Sequence, residues 1–216
     1  MKISIIMPTI NSEEFIATSL KRLIKVLKKF EHEIIIINDF SLDDTFKIIK
    51  KEIKFNKKIK LFSNKKREGQ FNSLINGIKK SSGDLIITLD DDEEYHYSNI
   101  TKMIKSFELK KHDLVIGYSI TDNRSFLRRL GRFFINYHNS RRIIPTIITS
   151  SFRVMTKSFG KKLIKYHDKK NEPFGPLILK LTNKIENISI KRSNFPLRNY
   201  SNYSFFQLLK LYVINV

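Results

Sequence analysis

The segment LIITLDDDEE, Leu85–Glu94, is the starting point for interpreting this sequence. Its apolar half, Leu85–Leu89, has the length and composition of a buried strand, and five carboxylates follow it directly. These five are drawn from only 21 acidic residues in a chain whose formal charge is +20. Carboxylates at the carboxyl end of a strand in an α/β sheet are suited to hold Mg²⁺ or Mn²⁺, because both cations prefer oxygen ligands. A solvated acidic loop is the alternative interpretation.

Short apolar runs alternate with helical patterns on both sides of this segment. The predicted strands are Ile3–Met7, Glu33–Ile37, Ile59–Ser63, Leu85–Leu89 and Leu114–Tyr118. A capping box formed by Asn11 and Glu14 is expected to begin the first helix. The later helices are predicted at Thr45–Lys51, Gln70–Lys80 and Ser98–Leu109. This alternation predicts an α/β fold with a mostly parallel central sheet and helices on both faces.

The pattern changes after Gly117. Apolar and cationic positions alternate at helical spacing in Arg124–Asn139, which predicts a basic amphipathic helix. A strand is predicted at Thr146–Thr156 and a helix at Pro176–Lys184. We expect residues 1–200 to form one domain and residues 201–216 an amphipathic C-terminal segment. That segment would lie in a membrane interface or pack on the core, and the chain could be a truncation of a longer membrane protein.

The composition narrows the classes of function. The 216 residues include 41 Lys and Arg, so the surface attracts polyanions such as nucleic acid, anionic lipid or phosphorylated substrates. The absence of cysteine excludes disulfides and thiolate metal sites. We expect neither a secretory signal nor a spanning helix, because no apolar run reaches the roughly 18–20 residues that crossing a bilayer needs. Nucleic acid is not the expected partner, since no RNA-recognition signature is present and the acidic segment would repel phosphate.

Several segments together resemble family 2 glycosyltransferases. They are ISIIMPTINSEE (Ile3–Glu14), IIIINDFSLDDT (Ile34–Thr45), REGQFNSLINGIKKSSGDLIITLDDDEE (Arg67–Glu94), TSSFRV (Thr149–Val154) and SNYSFFQLLKL (Ser201–Leu211). The third is the most similar, with the order Gly-Gln-x-Asn-small and then Gly-Asp-apolar-Asp-x-Asp. That order resembles the polyprenyl-phosphate sugar synthases, which include the dolichyl-phosphate mannose synthases and the undecaprenyl-phosphate sugar transferases. The resemblance implies a GT-A nucleotide-diphospho-sugar transferase fold.

The resemblance assigns roles to the acidic segment. Asp90 and Asp92 match the Asp-x-Asp motif, which implies that both hold a divalent metal, Mg or Mn, and that Asp92 is catalytic. The metal would neutralise the donor's diphosphate and stabilise the departing nucleoside diphosphate. Glu94 stands where the subgroup usually has Gln, and would be a third metal ligand or a loop acid. Asp91 is placed with the donor-binding residues without a separate role.

A second group of residues would bind the nucleotide. Asp39 matches a family Asp that bonds the donor base, and a helix cap is its alternative role. Pro8, Thr9 and Ile10 would form the wall beside the base, although Pro8 could simply end the strand. Ser12 replaces a Glu of the mannose synthases, which favours UDP over GDP.

Gly69 and Gln70 open the third helix and would approach the donor's anionic part, although Gln70 could be an ordinary polar helix residue. Three positions depart from the family pattern: Ile10 replaces a Tyr, Asn38 an Asp and Phe40 a Gly. These departures leave open a catalytically inactive, regulatory relative.

The expected reaction is an inverting, metal-dependent transfer of a sugar from a nucleoside diphosphate to a polyprenyl phosphate, at the cytoplasmic face of the membrane. Arg124 and Arg128 align with an arginine-rich segment that binds donor or acceptor phosphates, which would make them catalytic. Their alternative role is a basic face attracted to anionic lipid. The alternative acceptor is a sugar hydroxyl in glycan or lipopolysaccharide assembly, which would need a base such as Asp168 or Glu172.

Overall fold

The computed structural model describes residues 1–110, 112–119, 150–170 and 174–194, and the strands within these ranges join into one sheet. The strands are β1 (Ile3–Thr9), β2 (His32–Asn38), β3 (Ile59–Ser63), β4 (Leu85–Thr88), β5 (Leu114–Tyr118), β6 (Arg153–Thr156) and β7 (Ile185–Ser189). The helices are α1 (Ile16–Leu27), α2 (Thr45–Phe55), α3 (Gln70–Lys80), α4 (Asn99–Lys110), α5 (Lys157–Lys170) and α6 (Phe174–Leu181).

The sheet is mostly parallel, as predicted. Its strand order is β3-β2-β1-β4-β6-β5-β7, and only β6 runs antiparallel to its neighbours, β4 and β5. In the parallel part, Ile6 of β1 pairs with Ile35 of β2 on one side and with Thr88 of β4 on the other. The carboxyl ends of β1, β2 and β4 therefore meet at one edge, which is where α/β sheets usually bind their ligands.

Helices cover both faces of the sheet, which confirms the second part of the prediction. Ile5 and Met7 of β1 belong to an apolar cluster that includes side chains of α1, α2 and α4. Ile6, between them, belongs to the cluster on the other face, with side chains of α3, α5 and α6. Because successive side chains of a strand point to opposite faces, a strand buried on both sides needs a continuous apolar run.

The predicted capping box at Asn11 and Glu14 is wrong. Helix α1 begins at Ile16, and no side chain caps it. Asn11 instead accepts a hydrogen bond at Oδ1 from the backbone N–H of Leu42, at 2.9 Å, and Glu13 Oε2 accepts one from the N–H of Asp44, at 2.8 Å. These polar side chains join the β1–α1 loop to the β2–α2 loop, which local sequence spacing cannot indicate.

Two elements were not predicted from the sequence, and one predicted strand is shorter. Helix α5 is rich in lysine, and its buried apolar side chains, Phe159 and Leu163, are too few for the sequence pattern to indicate a helix. Strand β7 lies at the sheet's edge, and only Ile188 in it is buried. The strand predicted at Thr146–Thr156 begins only at Arg153, after residues 150–152 of irregular backbone.

Some predictions fall on parts of the chain that the structure does not describe. The helix Arg124–Asn139, with Arg124 and Arg128, lies outside the described residues, as does the segment 201–216. Within the described ranges, no helix combines the length and the hydropathy that crossing a bilayer requires.

Candidate active site

The acidic segment Asp90–Glu94 follows β4 at the carboxyl edge of the sheet, and its side chains alternate between inside and outside. Asp91 and Glu93 are buried, whereas Asp90, Asp92 and Glu94 remain partly exposed. The five carboxylates therefore divide into two that bond to the protein interior and three that border the surface.

Asp91 attaches the acidic segment to the end of β1. Its Oδ2 accepts hydrogen bonds from Thr9 Oγ1 and Ser12 Oγ, both at 2.5 Å, and the two hydroxyls lie 3.0 Å apart. The structure thus brings together three residues that the sequence placed at the donor site. All three are buried, so their contacts support the site from behind.

Helix α1 holds the same segment from a second side. Glu93 has a positive φ of 51°, and its Oε2 accepts a hydrogen bond from Arg22 Nη1 at 2.7 Å. Tyr97 donates its hydroxyl to the carbonyl oxygen of Asp90 and lies 2.6 Å from Ser19 Oγ. Sequence reasoning missed these supports, because Arg22 and Ser19 belong to no motif and reach the acidic segment only through the fold.

The outer carboxylates have different partners. Asp90 Oδ1 accepts a hydrogen bond from Gln70 Nε2 at 2.7 Å, which joins two residues that the sequence placed at the donor site. Glu94 Oε1 pairs with Arg192 Nη2 at 2.8 Å, so the charge of Glu94 is largely compensated. Asp92 Oδ1 accepts the backbone N–H of Glu94 at 3.0 Å.

Asp90 and Asp92 concentrate negative charge in a poorly solvated place. Burial raises the pKa of Asp90 to about 6, and repulsion from Glu94 and Asp91 adds to the shift. A hydrogen bond from Ser151 acts in the opposite direction. Burial, followed by repulsion from Asp90 and Asp91, raises the pKa of Asp92 to about 7. Ionising both carboxylates therefore costs folding free energy at neutral pH, and a bound cation would offset that cost.

The donor set fits a hard divalent cation at Asp90 and Asp92. Two carboxylates suit Mg²⁺ or Mn²⁺ when phosphate oxygens and water complete the coordination. The pairing of Glu94 with Arg192 makes Glu94 a weaker candidate than its two neighbours. Among the residues that the structure describes, no group of three or more His, Cys, Asp or Glu side chains is arranged around a common centre.

A buried arginine lies beside the acidic pair. Arg153 begins β6, and its register partner on β4 is Thr88, two residues before Asp90. Burial lowers the pKa of Arg153 to about 10, while the attraction of Asp90 opposes that shift, so the guanidinium stays charged at neutral pH. The fold thereby supplies a cation next to the carboxylates, from a residue 63 positions along the chain from Asp90.

Asp39 organises the turn that precedes α3. Its Oδ1 accepts hydrogen bonds from Asn64 Nδ2 and the N–H of Glu68, and its Oδ2 accepts the N–H of Gly69, each at 2.8 Å. Gly69 has a φ of 86°, which side chains rarely permit. Asp39 does not cap the helix that follows it, since α2 begins only at Thr45.

The remaining predicted site residues are on or near the same edge where the structure describes them. Pro8 is buried within β1 and pairs with Ile37 of β2, so it does not end the strand. Ile10 is the first residue after β1 and is partly exposed. Of the base candidates for a hydroxyl acceptor, Asp168 lies in α5 and Glu172 lies outside the described residues.

Phe40 follows Asp39 with a φ of 60°, a backbone conformation that a bulky side chain adopts only under strain. We expect Phe40→Gly to raise the free energy of unfolding by about 1 kcal/mol, because glycine accepts this conformation freely. Urea unfolding measures the change. Leu42→Gly is the matched control: Leu42 has no positive φ, so added backbone freedom should lower its stability. Destabilisation by Phe40→Gly would contradict the strain argument.

Comparison with known proteins adds independent findings. The model of the family described as "Glycosyl transferase family 2" matches residues 4–164. A dolichol-phosphate mannosyltransferase of Pyrococcus furiosus is 29% identical over 117 residues, which cover 54% of this chain and 33% of that protein. An undecaprenyl-phosphate 4-deoxy-4-formamido-L-arabinose transferase of Proteus mirabilis is 30% identical over 139 residues, covering 62% of this chain and 42% of that protein. The chain thus matches less than half the length of either relative.

Solved structures share the fold. The glucosyl-3-phosphoglycerate synthase of Mycobacterium tuberculosis, in complex with UDP, superposes with a TM-score of 0.64 at 15% identity, covering 99% of this chain and 78% of that one. A mannosyltransferase of Pyrobaculum calidifontis, in complex with GDP-Man and Mn²⁺, superposes with a TM-score of 0.55 at 16% identity. The superposition covers 76% of this chain and 46% of that one. At such low identity these likenesses show the fold alone, and they confirm the predicted GT-A type.

Proposed function

The chain belongs to glycosyl transferase family 2, and on this premise we propose that it transfers a sugar from a nucleoside-diphosphate sugar to a polyprenyl phosphate. UDP is the preferred donor nucleotide, and the transfer inverts the anomeric centre. The reaction takes place at the cytoplasmic face of the membrane, with the protein bound peripherally. The observation that carries the proposal is the position of Asp90 and Asp92 at the carboxyl end of β4, supported from behind by Asp91 and Glu93.

The donor's diphosphate would lie against the outer carboxylates. Asp90 and Asp92 would hold Mg²⁺ or Mn²⁺, which supplies charge neutralisation to the diphosphate when it is bound. Gln70 orients Asp90 through a 2.7 Å hydrogen bond. Arg153 adds a positive charge from β6, the strand that pairs with β4. The amino end of α3 adds the partial positive charge of a helix dipole. Positioning and electrostatics therefore provide most of the proposed catalysis.

The nucleoside would bind next to the end of β2. Asp39 is buried there and fixes Glu68 and Gly69 by backbone hydrogen bonds, so it determines the shape of the turn between β3 and α3. A carboxylate oxygen has a further lone pair that can accept the ring N–H of uracil. Ser12 stands where the mannose synthases that this chain resembles carry a Glu, and the loss of that acceptor for a guanine amino group supports UDP as the donor nucleotide.

The proposed acceptor is a phosphate, which does not require a catalytic base from the protein. A phosphate monoester is ionised at neutral pH and attacks without a general base, so a single displacement with inversion needs no enzyme nucleophile. The names of both curated relatives include a polyprenyl phosphate, dolichol phosphate in one and undecaprenyl phosphate in the other. We assign Arg124 and Arg128, outside the described residues, to binding the phosphates.

Calorimetric titration of UDP and GDP tests the donor site. With Mn²⁺ present we expect UDP to bind, and we expect EDTA or Asp92→Ala to weaken binding at least about tenfold, since each removes charge compensation from the diphosphate. Asp84→Asn is the matched control, because Asp84 is exposed at the other end of β4. Binding of neither nucleotide, or equal binding with EDTA, would contradict the proposal.

A further inference from the structure

The segment that follows β7 pairs with the end of the acidic segment, and we call its residues Lys191–Ser193 the strap. Arg192, in the middle of the strap, forms an antiparallel bridge with Tyr95. Backbone hydrogen bonds of 3.0 and 3.2 Å flank that bridge, and the shorter one runs from the N–H of Ser193 to the carbonyl oxygen of Glu94. Backbone pairing therefore fixes the strap beside the acidic segment.

The first residue of α4 holds the strap from a second side. Asn99 is buried, its Nδ2 donates to the carbonyl oxygen of Lys191 at 2.7 Å, and its Oδ1 accepts the N–H of Lys191 at 3.2 Å. The side chain of Lys191 is exposed. The position of Arg192 is thus set by backbone pairing and a buried amide, and does not depend on the contact that its own side chain makes.

Arg192 pairs with the last carboxylate of the acidic segment. Its Nη2 lies 2.8 Å from Glu94 Oε1, and the two side chains are 23% and 25% exposed. An exposed ion pair usually contributes little, because two long side chains lose conformational freedom when they meet. Here the strap has already brought the two residues together, so a charge-assisted hydrogen bond can hold the Glu94 carboxylate in one direction.

Glu94 is close to both carboxylates of the proposed cation site. Its backbone N–H donates to Asp92 Oδ1 at 3.0 Å. Glu94 and Asp90 also line the same small cavity of about 10 Å³, together with Ser151. A cavity of that volume is about the size of one water molecule. Without Arg192, Glu94 would therefore place a third, uncompensated carboxylate beside the other two.

We propose that Arg192 is a positioning residue that holds Glu94 away from the cation, so that Asp90 and Asp92 are its protein ligands. The inference rests on the proposed function, because it concerns the cation that would bind the donor's diphosphate. Two carboxylates leave coordination positions for phosphate oxygens, and the affinity of a site for a divalent cation rises with its number of charged ligands. The pairing therefore keeps cation binding weak until the donor is present.

Titration of Mn²⁺ without nucleotide, followed by the electron paramagnetic resonance signal of the free ion, tests the role of Arg192. We expect Arg192→Gln to bind Mn²⁺ about tenfold more tightly than the wild type, because Glu94 becomes an available ligand. Arg192→Lys keeps the positive charge and should keep the wild-type affinity. A merely structural role for Arg192 would predict the opposite sign, since a loosened site binds Mn²⁺ more weakly.

The double variant Arg192→Gln, Glu94→Gln should bind Mn²⁺ as the wild type does, because both lack Glu94 as a ligand. A tenfold weaker affinity of the double variant would make Glu94 a ligand in the wild type and overturn the proposal, even if Arg192→Gln alone did not fold. Unchanged or weaker Mn²⁺ binding by a folded Arg192→Gln variant would also overturn it. Urea unfolding shows which variants are folded.

Lys191→Gln is the matched control, because it removes an exposed positive charge from the same strap and leaves the pair of Arg192 and Glu94 intact. Its Mn²⁺ affinity should equal that of the wild type, since salt screens an exposed charge. Equal tightening by Lys191→Gln and Arg192→Gln would reduce the effect to net charge and overturn the proposal.

Calorimetric titration of UDP into the same proteins separates the two proposals. We expect UDP to tighten Mn²⁺ binding by a smaller factor in Arg192→Gln than in the wild type, because the variant holds the cation without the diphosphate. Unchanged Mn²⁺ affinity in Arg192→Gln, with Mn²⁺-dependent UDP binding by the wild type, would overturn the role of Arg192 alone. Tighter Mn²⁺ binding without UDP binding by any variant would support that role and overturn the proposed function. Absence of Mn²⁺ binding in every variant would overturn both.

Discussion

Asp92→Asn is expected to reduce sugar transfer at least about a hundredfold and yet to leave the protein as stable as the wild type, or more so. The loss of rate follows from the proposed function, in which Asp92 supplies a charge facing the donor's diphosphate and its cation. The gain in stability follows from the local electrostatics: burial and neighbouring carboxylates raise the pKa of Asp92 to about 7, so ionising it is unfavourable in the folded protein. An isosteric neutral side chain removes that cost.

Initial rates at saturating Mn²⁺, together with urea unfolding at neutral pH, measure both effects. Asp91→Ala is the informative comparison, because Asp91 is buried and accepts hydrogen bonds from Thr9 and Ser12. Removing that acceptor should lower the free energy of unfolding by about 2 kcal/mol. The assignment of Asp92 would be wrong if Asp92→Asn kept its rate within a few fold, and the electrostatic argument would be wrong if that variant were clearly destabilised.

Glu33→Gln is expected to lower the free energy of unfolding by about 3 kcal/mol at neutral pH. Glu33 is buried in β2, and its Oε1 accepts Ser4 Oγ at 2.6 Å and the N–H of Ser82 at 2.7 Å. Its Oε2 accepts Lys60 Nζ at 2.7 Å, and Lys2 Nζ lies 3.8 Å away. One carboxylate thus joins β1, β2, β3 and the turn before β4, and an amide cannot replace its charge.

The acid dependence of stability provides a second measurement of the same carboxylate. Burial alone would raise the pKa of Glu33, but hydrogen bonds from Lys60, Ser4 and Ser82 outweigh it and lower the pKa to about 2, from 4.5. The folded state binds the proton at Glu33 less readily than the unfolded state does. The contribution of the Glu33 carboxylate to the free energy of unfolding is therefore complete above pH 4.5 and disappears as the pH falls toward 2. The stability difference between wild type and Glu33→Gln should therefore shrink across that interval.

Urea unfolding at pH 7 and at intervals down to pH 2 checks the difference. Glu31→Gln is the matched control, because Glu31 is exposed two residues earlier and its replacement should change stability by less than about 0.5 kcal/mol. A Glu33→Gln variant as stable as the wild type at pH 7 would contradict the role of this carboxylate. A difference that stayed constant to pH 2 would contradict the assignment of the pKa.

Local patterns in the sequence were sufficient for most of the elements in the first 118 residues. The boundaries of β3, α3 and β5 match the predicted ones, since apolar runs and helical spacing report burial directly. Prediction failed where burial is sparse, as in the lysine-rich α5 and the edge strand β7. It also failed at Asn11, because a side chain that can cap a helix can equally bond to a distant loop, here at Leu42.

The sequence by itself determined the α/β class, a mostly parallel sheet, the family, and the concentration of carboxylates at Asp90–Glu94. The tertiary structure alone decided how those carboxylates divide. Asp91 bonds to Thr9, and Glu93 to Arg22, each more than 70 positions away in the chain, while Asp90 and Asp92 remain partly exposed. The physical reason is that an apolar run specifies burial from its own composition, whereas the direction of a charged side chain depends on which partners the packed strands and helices bring beside it.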